Sequence, residues 1–188
     1  MQSANDIVIT IDLTTVHELV EKARDLLIKQ RSEYDLSKWE YTKEVRIAPY
    51  EIPHSHPVLT LNARLVDGPS KDEEAFLSTY IHEQLHWALD DYRPSETEEA
   101  IQVLRKKYPD FHEGLPVTAK NEASSYLHLI VNWLELTVMT DLIGIAPAKN
   151  LMARFHHYTK IYETVLRDYD EIQAVLRDTG IVPMPQPQ

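Results

Sequence analysis

The chain of 188 residues contains no cysteine, so disulfide bonds, cysteine-ligated zinc sites and thiol nucleophiles are excluded. It also lacks an apolar run long enough to span a bilayer. Residues 1–6 are polar and lead into a short alternating run rather than into the apolar core of a signal peptide. We therefore expect a cytoplasmic protein, although an exported protein without a cleaved signal would have the same features.

Positive charge is scarce. Lys and Arg together number 19 against 30 Asp and Glu, which gives a formal net charge of −11. This balance argues against nucleic acid or an anionic membrane as the main partner, and solubility accounts for the acidity. The length suits one domain with its own core, which we predict over residues 1–181, followed by a flexible proline-rich tail over 182–188. The sequence does not indicate the oligomeric state.

The most informative segment is the string His82-Glu83-Gln84-Leu85-His86, which has the form H-E-x-x-H. It lies within a helical pattern from Asp72 to Leu89, in which apolar residues recur at three- and four-residue steps, and Ser70 is the predicted N-cap. Helical residues four apart share a face and lie about 6 Å from each other. Two imidazoles at this spacing can take two corners of a tetrahedral zinc ion, with the glutamate placed to act on a metal-bound water.

This string resembles the signature of the zincin metallopeptidase superfamily, and of its gluzincin or a related branch. The resemblance implies an α+β fold, in which a small twisted N-terminal sheet precedes a mainly helical half with the H-E-x-x-H helix. It implies a zinc ion, a peptide or protein substrate, and hydrolysis by a metal-activated water with Glu83 as the general base. It also implies that one strand at the edge of the sheet pairs with extended substrate.

The remaining pattern predicts an alternation of strands and helices. We predict strands over 7–13, 39–47 and 57–66, and the last is either an ordinary strand or the substrate-binding edge. Capping boxes at 15–18 and 95–98 predict helices to about residues 31 and 107. A long helix predicted over 119–143, with Thr118 as its cap, ends at Gly144. Further helix is expected from Pro147 to Asp178, with a break near 154–158.

A zinc site needs a third protein ligand. The short metzincin extension is absent, because Leu89 and Tyr92 stand where that pattern has glycine and histidine. The long helix is the better source, because it carries polar residues on one stripe of an otherwise apolar pattern. The members of the stripe are Ser125, His128, Asn132 and Glu135.

Three residues compete for the third position. His128 lies at the centre of the stripe, Glu135 would give the two-His, one-Glu set of gluzincins, and Glu122 belongs to a string that partly resembles their N-E-x-x-S-D segment. Residues 128 and 135 are about 10 Å apart along a helix axis, so only one of them is expected to bind the metal. The other is expected to orient His82 or His86 through the far ring nitrogen.

Zincins often place a tyrosine or histidine opposite the metal to hold the developing oxyanion. Tyr158 and Tyr162 are the candidates for that role, and core packing is the alternative for both. Two other interpretations of the whole chain remain open. One is a non-catalytic metal-binding domain of zincin-like fold that acts as a regulatory or interaction module, and the other is a helical structural protein with a chance H-E-x-x-H string.

Overall fold

The computed structural model describes residues 6–11, 17–184 and 187. The protein is α+β, as predicted, and the described residues form a three-stranded sheet and seven α-helices. None of the described helices combines the length and the apolar character needed to cross a membrane. The strands are β1 (Val8–Ile11), β2 (Glu44–Ala48) and β3 (Leu59–Asn62). The helices are α1 (His17–Glu33), α2 (Glu73–Trp87), α3 (Pro94–Lys107), α4 (Glu122–Ile143), α5 (Ile145–Ala153), α6 (Thr159–Arg167) and α7 (Tyr169–Asp178).

The chain divides into two compact units. The first is built from residues up to Trp87, and the second begins at Ala88. The sheet, α1 and α2 belong to the first unit, and α3 to α7 belong to the second. That residues 1–181 form a single zincin-like domain stays a prediction.

The sheet of the first unit is entirely parallel, with the strand order β1-β2-β3. Helix α1 provides the connection between β1 and β2, whereas residues 49–58 connect β2 to β3 without a helix. The second connection runs back beside β3, where His54 pairs with Thr60 in antiparallel fashion. Both hydrogen bonds of this bridge are present, at N···O distances of 3.2 and 2.8 Å.

The core of the first unit lies between the sheet and its two helices. In β2 the buried residues Val45 and Ile47 alternate with Glu44 and Arg46, as expected for a strand with one covered face. Helix α1 packs against β1 and β2, and α2 packs against β3. The fully buried residues contributed by α1, β3 and α2 include Val20, Ala23, Leu27, Leu59, Leu61, Phe76, Ile81 and Leu85.

Helix α2 begins one residue later than predicted. Asp72 caps it, because its Oδ1 accepts a hydrogen bond from the backbone N–H of Ala75 at 2.9 Å. The side chain of Ser70, the predicted cap, lies outside the described part of the structure. Almost every residue from Ala75 to His86 is buried, so α2 is covered on all sides over this stretch.

In the second unit α4 is the central helix. It packs against α3, α5, α6 and α7, and most of its residues are buried. The residues Ala88–Tyr92 form a short π-helical segment ahead of α3. A break at 154–158 separates α5 from α6, as predicted, but a further break at Asp168, which separates α6 from α7, was not anticipated.

Two predicted helix caps are wrong. Asn121 caps α4 by accepting from the N–H of Ser124 at 2.9 Å, whereas the Thr118 hydroxyl accepts from the N–H groups of Glu113 and Gly114. Helix α3 starts at Pro94 without a side-chain cap, so Ser95 already lies inside it. Proline suits the first helical position, because the N–H it lacks would have had no partner there. The capping box predicted at 15–18 lies largely outside the described residues.

An ion pair links α1 to the segment that precedes β2. The guanidinium of Arg31 donates to both carboxylate oxygens of Glu40, at 2.6 and 2.9 Å, and Glu40 is buried. The Tyr80 hydroxyl donates to the same carboxylate at 2.8 Å. Burial, and then the charge of Glu40, raise the pKa of Tyr80 well above its ordinary value, so this hydroxyl remains a donor.

We expect Arg31→Met to destabilise the protein by about 3 kcal/mol, because it leaves the buried Glu40 carboxylate without its cation. Urea unfolding followed by circular dichroism measures the loss. The matched control is Arg24→Met, which breaks the exposed pair of Arg24 with Asp25 and should leave the free energy of unfolding nearly unchanged. Equal losses in the two variants would contradict this role of Arg31.

Candidate metal centre

His82 and His86 lie one helical turn apart on α2, as the sequence predicts. Their ring centroids are 5.1 Å apart and the ring planes are inclined at 64°. The two residues are 8% and 9% exposed, and Glu83 between them is 6% exposed. Polar side chains are rarely buried this deeply unless something satisfies them, so the three residues form a chemically distinctive face of α2.

His128 lies near the middle of α4 and is also buried, at 8% exposure. Its Nδ1 lies 2.7 Å from the carbonyl oxygen of Ser124, one turn earlier on the same helix. A carbonyl oxygen can only accept, so Nδ1 is the donor in this contact and carries the ring proton. Metal-binding histidines commonly use one ring nitrogen in this way, which orients the ring and leaves the other nitrogen for the metal.

One ring nitrogen from each of His82, His86 and His128 lies within 4.8 Å of the other two, so this buried group could hold a metal ion. The three fit zinc by donor type, because neutral imidazole is a common zinc ligand. Three protein ligands would leave one coordination position open, which is typical of catalytic rather than structural zinc.

The other two candidates for the third ligand are not members of this group. Glu135 lies two turns after His128 and is 1% exposed, and one of its oxygens accepts from the Tyr162 hydroxyl at 3.1 Å. Glu122 is the first residue of α4, is exposed, and lies 3.5 Å from the guanidinium of Arg105. The ligand role of His128 and an orienting role of Glu135 both stay predictions.

Tyr158 and Tyr162, the two candidates for the oxyanion donor, have different contacts. The hydroxyl of Tyr162 is directed to Glu135, whereas the ring of Tyr158 lies against His128, with centroids 4.5 Å apart. Tyr158 has a φ of 53°, a left-handed conformation that costs a non-glycine residue about 1 kcal/mol. Its backbone N–H donates to the carbonyl of Pro116 at 2.6 Å, which helps to hold this conformation. Strained residues of this kind concentrate at functional sites.

The loop between α3 and α4 is anchored at several points. Nδ1 of His112 lies 2.9 Å from the buried hydroxyl of Ser125, and Lys160 of α6 forms an ion pair with Glu113. The N–H of Lys160 donates to the carbonyl of Val117 at 3.1 Å. His112 and Ser125 therefore have a structural role in holding this loop against α4.

His54 and His56 lie in the connection between β2 and β3. Nδ1 of His54 lies 2.9 Å from the carbonyl oxygen of Ile52, and the ring of His56 stacks on Trp87 at 4.1 Å. The indole N–H of Trp87 donates to the carbonyl of Ser55 at 2.9 Å. Because His54 already pairs with Thr60, β3 does not offer this position of its edge to an extended substrate.

Sequence reasoning gave no role to Gln84, the residue directly after Glu83. Its side chain is fully buried and makes three hydrogen bonds inside the first unit. The only signal in the sequence was a long polar side chain within the helix predicted over 72–89.

The chain matches no protein-family model, no curated protein and no solved structure.

Proposed function

We propose that the protein is a zinc-dependent metallopeptidase. The observation that carries the proposal is the arrangement of His82 and His86 on α2, two buried imidazoles one turn apart with the buried Glu83 carboxylate beside them. His128 is the third proposed ligand, supported by its place in the three-histidine group and by the proton that Ser124 fixes on Nδ1.

Bound zinc supplies a Lewis acid, which polarises a carbonyl and lowers the pKa of a coordinated water toward neutrality. Glu83 removes a proton from the attacking water, whose oxygen forms the new bond to the peptide carbonyl carbon. As the carbon–nitrogen bond breaks, the same carboxyl group returns the proton to the leaving amine. A carboxylate suits both steps, because it can accept a proton and then donate it.

Tyr158 is the proposed donor to the developing oxyanion. The ring of Tyr158 packs against His128, a proposed ligand, whereas the hydroxyl of Tyr162 donates to Glu135. A donor of this kind is held in place before the reaction, so it stabilises the transition state without reorganisation. The left-handed backbone of Tyr158 and its N–H bond to Pro116 fix the backbone from which this ring extends.

Metal analysis together with a hydrolysis assay tests the proposal. Protein purified without chelator should contain about one zinc ion per chain and should cleave members of a mixed peptide library, detected by mass spectrometry. Treatment with 1,10-phenanthroline should abolish cleavage, and added zinc should restore it. Zinc binding without cleavage would favour a non-catalytic metal-binding domain, and absence of zinc binding would favour a chance string.

A further inference from the structure

The side chain of Gln84 grips both backbone groups of one residue, Thr42, in the chain before β2. Its Oε1 accepts from the backbone N–H of Thr42 at 2.9 Å, and its Nε2 donates to the Thr42 carbonyl at 2.9 Å. Gln84 therefore pairs with Thr42 much as one strand residue pairs with another. The side chain of Gln84 is fully buried.

The grip is extended by a chain of buried groups. Nε2 of Gln84 also lies 3.2 Å from the Tyr80 hydroxyl, which itself donates to Glu40. Glu40 is held in turn by both guanidinium bonds of Arg31. The network thus links α1, the segment 40–42 and one side of α2, entirely within the first unit.

Gln84 lies on the side of α2 away from the two histidines. At 100° per residue it is about 160° round the helix from both His82 and His86. Taking the proposed metal site as given, we infer that Gln84 is a positioning residue for it: the fork on Thr42 fixes the rotation of α2 about its own axis, and so the direction in which both imidazoles and Glu83 point.

The geometry makes such a constraint important. A metal-binding ring nitrogen lies about 6 Å from the helix axis, so a rotation of about 10° moves it by about 1 Å. Productive sites tolerate displacements of only about 0.5 Å. Hydrogen bonds are directional, so the two bonds to Thr42 have good geometry at only one rotation of the helix.

The chain supplies a matched control in Gln30. This glutamine is also buried in the first unit, and its Nε2 donates to the backbone carbonyl of Glu73 at 2.8 Å. It therefore ties the same helix α2 to a neighbour, but at the first turn and through one bond. Gln84→Leu and Gln30→Leu both remove a buried carboxamide, so a purely structural effect would be common to both.

The first measurement is zinc affinity, by competition with a chelator at a temperature where both variants are folded by circular dichroism. We expect Gln84→Leu to weaken zinc binding about 10- to 100-fold, the range found when the support of a metal ligand is removed. Gln30→Leu should change it by less than about twofold. Cobalt-substituted Gln84→Leu should also have an altered absorption spectrum, which reports coordination geometry. Equal zinc affinities and cobalt spectra for Gln84→Leu, Gln30→Leu and wild type would overturn the inference.

The second measurement does not need metal. Long-range ¹H–¹⁵N spectra of the metal-free protein report the environment of each histidine ring. We expect the His82 and His86 signals to move in Gln84→Leu and to stay in place in Gln30→Leu; unmoved signals in both would overturn the inference. If wild type bound no zinc, the proposed function would fail, and these spectra would still decide the role of Gln84. If Gln84→Leu does not fold, Tyr80→Phe, which removes one member of the network, replaces it in both measurements. We expect weaker zinc binding and shifted histidine signals in Tyr80→Phe. Unchanged zinc binding and unchanged signals would overturn the inference.

Discussion

Glu83→Gln should retain zinc and lose peptide hydrolysis by about 10³-fold or more. The amide has nearly the same shape as the carboxylate, so the fold and the proposed ligands His82 and His86 are preserved. It cannot accept the proton of the attacking water, because an amide is not a base at neutral pH. Zinc content by elemental analysis and cleavage rates on a substrate identified from the peptide library are the two measurements.

The control is Glu99→Gln, which makes the same chemical change on the exposed side of α3. It should leave both the zinc content and the cleavage rate unchanged. A Glu83→Gln protein that cleaved at the wild-type rate would remove Glu83 from the mechanism. A Glu83→Gln protein without zinc would mean that the carboxylate supports metal binding as well.

His82→Ala and His128→Ala should each lower zinc affinity by about 10³-fold, so that neither protein retains zinc through purification. Each variant removes one of three proposed nitrogen ligands, and the two that remain hold the ion too weakly. His54→Ala is the matched control, because this histidine lies outside the three-histidine group. It should retain zinc at the wild-type stoichiometry.

The same series decides between the candidates for the third ligand. If His128→Ala retained full zinc while His82→Ala lost it, Glu135 would replace His128 as the third ligand. Glu135→Gln provides the independent check. If Glu135 only orients a ligand, Glu135→Gln should lower zinc affinity by no more than about 10- to 100-fold. This is a smaller loss than the removal of a ligand causes.

The sequence predicted α2 and α4 well because their signals are local. The H-E-x-x-H string lies in a strong apolar pattern. The polar residues of the stripe that contains His128 recur at helical spacing within an otherwise apolar segment. Helix starts were less accurate because several residues in a row can cap. Asp72 was placed in the first turn of α2 and Thr118 at the start of α4, whereas the structure uses Asp72 and Asn121 as the caps.

The features that the sequence did not reveal depend on contacts between distant segments. The fork of Gln84 on Thr42 joins residues 42 positions apart. The left-handed backbone of Tyr158 depends on the carbonyl of Pro116, far away along the chain. The direction of the strands was equally hidden, because alternating burial identifies a strand without saying whether its neighbour runs parallel.

The return of the chain along β3 also bears on self-association. An uncovered strand edge offers a row of unpaired N–H and C=O groups, with which a strand of a second molecule can pair. Such pairing is a common start of aggregation. Here His54 pairs with both backbone groups of Thr60, and the Asn62 side chain donates to the carbonyl of Glu51 at 2.7 Å. The connection between β2 and β3 is therefore bonded to that edge at two points. The protein's own backbone therefore covers this edge of a short, all-parallel sheet. A strand of a second molecule can pair with β3 there only after residues 51–54 have moved away.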